Sequence, residues 1–90
     1  MIKYRPHKSS LSESMKNMKT FHNLDEMYNY IITDWSTTNT KLFNKEDLSI
    51  GENLGPDDRN EWKETRYVCV KRIGNKTYEQ PQCIGICSIE

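Results

Sequence analysis

The segment "NLDEMYNYIITDW", residues 23 to 35, places Leu24, Met27, Tyr28, Ile31 and Trp35 at i, i+3, i+4, i+7 and i+11. Only a helix gathers side chains at that spacing onto one side, so the run predicts a helix with a continuous core-facing stripe. Asn23 supplies the N-cap, and Asp25 and Glu26 fall in the first turn, where the helix dipole favours negative charge. The polar "STTNT" that follows predicts a loop. A stripe this long needs an apolar surface to cover, and that need constrains how the rest of the chain folds.

The surface is predicted downstream. Residues 64 to 73, "ETRYVCVKRI", are rich in β-branched and aromatic side chains, "GNK" turns the chain, and "QCIGICSI" returns antiparallel as the second arm of a central hairpin. Matching the two periodicities predicts that Leu24, Tyr28, Ile31 and Trp35 meet Val68, Val70, Ile84 and Ile86. Two shorter strand candidates precede the hairpin, residues 2 to 5 before Pro6 and Leu48 to Ile50 closed by Gly51, while the "KTF" at 19 to 21 tolerates extended geometry without counting as a strand in the order strand, helix, helix, strand, strand, strand. Gly55-Pro56-Asp57-Asp58 supplies a turn, with Trp62 just before the long strand. Ser10-Leu11-Ser12-Glu13 has the form of a capping box, and Leu11, Met15 and Met18 make a narrow apolar stripe on a helix of about two turns. This order predicts an α+β fold, a small antiparallel sheet with two helices packed on one face, as a single compact domain over residues 1–90.

Thirteen basic and thirteen acidic side chains cancel. The chain therefore has neither the overall positive field that holds a nucleic-acid backbone nor the acidic excess of a DNA mimic, and nucleic acid is not expected as its main partner. Charge is instead polarised: residues 1 to 10 carry Lys3, Arg5 and Lys8 with no acid, while residues 41 to 60 carry Glu46, Asp47, Glu52, Asp57 and Asp58 against Lys41, Lys45 and Arg59. No run approaches the roughly 20 apolar residues that span a bilayer, and "MIKYRPHKSS" lacks the apolar centre of a signal peptide, so a cytoplasmic protein without a membrane partner is expected. The cysteines Cys69, Cys83 and Cys87 are odd in number and confined to the last third, which predicts free thiols in a reducing compartment.

Chemistry concentrates at "RPHKSSLSESM", residues 5 to 15. Arg5, His7 and Lys8 surround Pro6, and Ser9 and Ser10 follow with hydroxyl donors. An arginine fork suits an oxyanion, and basic side chains beside serine hydroxyls suit phosphate or carboxylate. Arg5, His7, Lys8, Ser9 and Ser10 are therefore the candidate ligand- or partner-binding residues; the competing reading makes the segment a solvated turn that starts a helix. No spacing suggests a nucleophile with its base, a metal-ligand set or a cofactor motif, so neither catalytic residues nor a cofactor is expected. Asp57, Asp58, Glu61 and Glu64 lack the alternating oxygen-ligand spacing of a calcium loop and interleave with Arg59 and Lys63, which fits a solvated turn. "RYVCVKR" lacks the glycine and paired phenylalanines of a base-stacking strand and reads as central sheet.

The stretches "YRPHKSSLSESM", "NLDEM", "IGENLG", "DDRNEW" and "PQCIGICS" together resemble small uncharacterised proteins encoded in phages and prophages of Gram-positive bacteria. The resemblance implies a context: an accessory, non-enzymatic protein of the host cytoplasm that antagonises a host defence system, by binding a host protein or by sequestering an anionic nucleotide signal, and possible as a homodimer. The alternatives are a small nucleic-acid-associated regulatory module, whose binding would weaken steeply with salt, and an enzyme acting on a phosphorylated small molecule.

Overall fold

The computed structural model describes residues 1–8, 10–57 and 61–89. In chain order they form strand β1 (Ile2–Pro6), helix α1 (Leu11–Lys16), strand β2 (Lys19–Phe21), helix α2 (Leu24–Trp35), a 3-10 turn (Lys45–Asp47), and strands β3 (Leu48–Ile50), β4 (Arg66–Ile73) and β5 (Lys76–Ile89). All the strand pairings are antiparallel, and the strands lie in the order β2-β1-β5-β4-β3. The architecture is α+β, as the order of sequence signals predicts.

Helix α2 occupies the residues its periodicity marks. Asn23 accepts the Glu26 backbone N–H at 2.9 Å, and the Glu26 carboxylate accepts from the His22 N–H at 3.0 Å, fixing the chain just ahead of the helix. Met27, Ile31 and Ile32 are buried, while Leu24, Tyr28 and Trp35 flank them as partly buried neighbours. They share one core with Ile2, Tyr4, Phe43, Leu48, Val68, Val70, Ile84 and Cys87. Tilted ring pairs join it: Phe21 and Tyr30 at 5.3 Å between centroids, Trp35 and Phe43 at 5.7 Å.

One predicted contact is corrected. Ile86 does not lie under α2; it pairs with Arg5 on one side and Tyr67 on the other, and its side chain leaves the opposite face of the sheet. The cause is a register shift between Val68 and Cys69, where Val68 pairs with Gly85 but Cys69 pairs with Cys83. The extra residue, Ile84, turns into the core, so Ile84 and Gly85 point to the same face and the alternation then continues with Ile86 outward and Cys87 inward. Cys87 takes the core place expected of Ile86.

The 3-10 turn is held by Asp47. Its carboxylate accepts the Asn44 N–H at 2.9 Å and an Arg72 guanidinium N–H at 3.0 Å, tying the loop after α2 to β4. The Asn44 N–H and, after it, Arg72 hold this carboxyl below its ordinary value, against the opposing effect of burial. A depressed carboxyl stabilises the fold fully above the ordinary value of about 3.9 and loses that contribution as the pH falls through its lower native value. Melting temperature should therefore fall as the solution is acidified below about pH 4. Asp47→Asn should lower the neutral-pH stability by about 1–3 kcal/mol and flatten that acid limb, and a variant whose limb stays as steep as the parent's would dismiss Asp47 as its source.

Candidate ligand-binding site

Strand β1 and helix α1 build the site from adjacent residues. Alternation along β1 sends Ile2 and Tyr4 into the core and leaves Lys3 and Arg5 on the face away from α2. Pairing with β5 persists past Pro6, because the His7 N–H donates to the Ile84 carbonyl at 3.1 Å. The chain then bends back into α1. Ser10 caps it, accepting the Glu13 N–H at 3.2 Å, and the buried Ser14 hydroxyl donates to the Pro6 carbonyl at 2.6 Å. That last bond fastens the helix beside the end of the strand that precedes it.

Between them lies a cavity of about 220 Å3 lined by Arg5, His7, Lys8, Ser10, Leu11, Ser14 and Ile86. Arg5, His7, Lys8 and Ser10 are thus brought together around one space, and among the described residues its lining contains no acidic side chain. Ser9, the fifth candidate, lies outside the described residues. Leu11, expected on a core stripe, is instead 43% exposed at the mouth of the cavity.

Arg5 is half-buried, and its guanidinium lies 5.4 Å from the centroid of the Trp62 ring. Trp62 is itself buried, held from both sides of its turn: Asp57 Oδ1 accepts the Trp62 N–H at 3.1 Å, and the Trp62 carbonyl accepts the Asp57 N–H at 3.0 Å. The neighbouring chain is pinned to β4 and its approach by Gly51 N–H to Tyr67 O, Leu54 N–H to Thr65 O and Thr65 N–H to Gly55 O. The Trp62 ring therefore gives the Arg5 guanidinium a cation–π partner on one side. Arg5 and Ile86 also line a second cavity of about 260 Å3, whose remaining walls include Leu54, Pro56, Asp57 and Tyr67. Leu54 and Tyr67 are exposed there to 50% and 43%.

His7 has a partner that no local spacing announces. Its Nε2 lies 3.3 Å from Cys83 Sγ, and the same sulfur lies 3.3 Å from the Gly85 carbonyl oxygen. Burial pushes the Cys83 and Cys69 thiols up from their ordinary values, and pushes Cys87 up to about 11. All three cysteines are free thiols, and burial favours their protonated form. Among the described residues, no three histidine, cysteine or carboxylate side chains converge as a metal-holding group.

The acidic stretch does structural work where it is described. Asp57 holds the Trp62 turn and Glu64 pairs with Arg66 at 2.8 Å, while Asp58 and Arg59 lie outside the described residues. Arg66 also donates to the Gly51 carbonyl at 2.9 Å, which places it at the junction of the turn and the sheet. Among the described residues, no helix is long and apolar enough to cross a membrane. Compared with models of known families, with curated proteins and with solved structures, the chain matches none.

Proposed function

We propose that this chain is a non-enzymatic binding protein that takes an anionic nucleotide at the cavity between β1 and α1. The observation that carries the reading is that Arg5, His7, Lys8 and Ser10 line one cavity whose wall, among the described residues, holds no acidic side chain. Cations and hydroxyls so grouped favour phosphate oxygens, and the Trp62 ring beneath Arg5 limits the rotamer freedom the arginine loses on binding. The resemblance to small phage and prophage proteins extends the proposal: the ligand is a signal of host defence, and the protein acts in the host cytoplasm by sequestering it. A host protein surface is the second reading, favoured by the exposed Leu54 and Tyr67 beside the adjoining cavity.

Arg5→Ala is a poor test by itself, because it uncovers Trp62. His7→Ala combined with Lys8→Ala is a better one, since both side chains are exposed. Calorimetry against cyclic and linear nucleotides should give binding to the parent chain that the double variant weakens by about 1.5–3 kcal/mol for each charge-assisted hydrogen bond lost, with an unchanged melting temperature. Equal binding by the folded double variant would refute the site.

A further inference from the structure

Two of the three thiols face each other across the central hairpin. Cys69 on β4 and Cys83 on β5 are direct partners in the antiparallel register, at the point where the register shifts. Directly opposed residues project to the same face of a sheet, with Cα atoms about 4.5–5.5 Å apart. That separation falls inside the range of about 4.4–6.8 Å that a disulfide spans. Val68 and Val70 are buried in the core, so Cys69 between them leaves the opposite face, the one that also carries Arg5, and both thiols are half-buried rather than sealed. Cys87 differs in each respect: it is fully buried under α2 and pairs with Tyr4 and Arg66, with no thiol opposite.

We infer that Cys69 and Cys83 are an oxidation-sensitive pair that a peroxide joins into a disulfide across β4 and β5, and that His7 transmits the change to the cavity. The Cys83 thiol donates to the Gly85 carbonyl at 3.3 Å, and rotation of the S–H turns the same proton to His7 Nε2, also 3.3 Å from the sulfur, when the ring is neutral and protonated on Nδ1. The Cys83 sulfur then attacks one peroxide oxygen; the O–O bond breaks, the sulfur becomes a sulfenic acid, and the departing hydroxide takes up a proton to leave as water. Cys69 sulfur attacks the sulfenic sulfur, the S–S bond forms, and the hydroxyl leaves as a second water with the Cys69 proton. Two thiols are oxidised and one peroxide is reduced. Cys83 Sγ turns towards Cys69 in the product, and His7, which lines the cavity with Arg5 and Lys8, loses its sulfur partner.

The inference does not depend on which ligand the cavity takes. The full-length chain is treated with graded hydrogen peroxide, remaining thiols are alkylated after denaturation, and the digest is mapped by mass spectrometry beside imidazole NMR of His7. The expected result is a monomer lighter by two hydrogens, free thiols falling from three to one, a linked peptide joining Cys69 to Cys83, and a shift of the His7 ring resonances that a dithiol reductant reverses. Cys69→Ser should abolish the link and leave Cys83 as a sulfenic acid that dimedone traps, Cys83→Ser should abolish both the link and the shift, and Cys87→Ser should leave both as in the parent. Chains linked to one another, a bridge through Cys87, or sulfinic acid at Cys83 with Cys69 untouched would overturn the pairing. A Cys69–Cys83 link with unmoved His7 resonances would overturn the transmission to the cavity.

Discussion

Ile31→Asp should unfold the protein at room temperature. Ile31 is 1% exposed and sits in the middle of the α2 stripe, within the same core as Val68, Val70 and Cys87. The substitution removes about 1.5–3 kcal/mol of side-chain burial. It also introduces a carboxylate for which the surrounding apolar side chains offer no hydrogen bond, a cost of several kcal/mol more even if the group protonates. A natural domain of this size is stable by only about 5–10 kcal/mol, so the two losses together are comparable with the whole. Asn29→Asp, on the exposed side of the same helix, should stay within about 0.5 kcal/mol of the parent and serves as the control. Circular dichroism with thermal melting decides the matter: a cooperative melt for Ile31→Asp at the parental temperature would mean that α2 does not hold the sheet as described.

A single methyl group at Gly85 should be nearly as damaging. A Cβ there would stand 2.5 Å from Tyr4 Cε1 and 2.7 Å from the Arg5 carbonyl oxygen. The first contact could ease if the ring moved, but Tyr4 is 2% exposed and enclosed by the core, with Tyr30 edge-on to it at 6.5 Å. The second contact is with backbone, and easing it means parting β1 from β5 where Pro6 and Arg5 pair with Gly85 and Ile86. Overpacking of this kind costs about 1–3 kcal/mol or more, and each kcal/mol lowers the melting temperature of a small domain by about 4–8 °C. Gly85→Ala should therefore melt at least 5–10 °C or so below the parent. A melting temperature within a degree of the parent's would show that β1 has slack against β5.

How far these elements could be read in advance follows from how local their causes are. Asn23, the acids of the first turn and the apolar stripe lie within 13 consecutive residues, and α2 occurs at Leu24–Trp35 where they place it. The Ser10 cap, the Leu48–Ile50 strand and the hairpin turn at Gly74, with φ of 60°, are equally local. The direction of Ile86 was hidden because a bulge is decided by the partner strand, and Gly85 carries its reason in Tyr4 and Arg5, some eighty residues away. The start of β5 at Lys76, ahead of the apolar "QCIGICSI", was hidden likewise: its first residues are polar and pair because β4 lies alongside. In the candidate site, the cluster of Arg5, His7, Lys8 and Ser10 is legible as contiguous charge and hydroxyl. Trp62 beneath Arg5 and Cys83 beside His7 are long-range contacts with no sequence spacing to announce them; the one available sign was an aromatic residue isolated in a polar turn.

The strand order also sets how the molecule assembles in time. β1 meets β2 through the short connection that contains α1, and β3, β4 and β5 follow one another in the chain, so each group can pair through local contacts. The groups are zipped together along β1 and β5, where Ile2 meets Ile89 and Pro6 meets Gly85. Closing the stretch between those strands costs roughly 4 kcal/mol in chain entropy, which must be met before the zipper returns its hydrogen bonds. Such closure is slow relative to hairpin formation, and the β1–β5 zipper is expected to form late and to govern the rate at which the native state is reached. The first cavity straddles that zipper, with Arg5 on one strand and Ile86 on the other. Whatever occupies it grips both sides of the last closure, and so would lengthen the lifetime of the folded molecule as well as deepen its equilibrium stability.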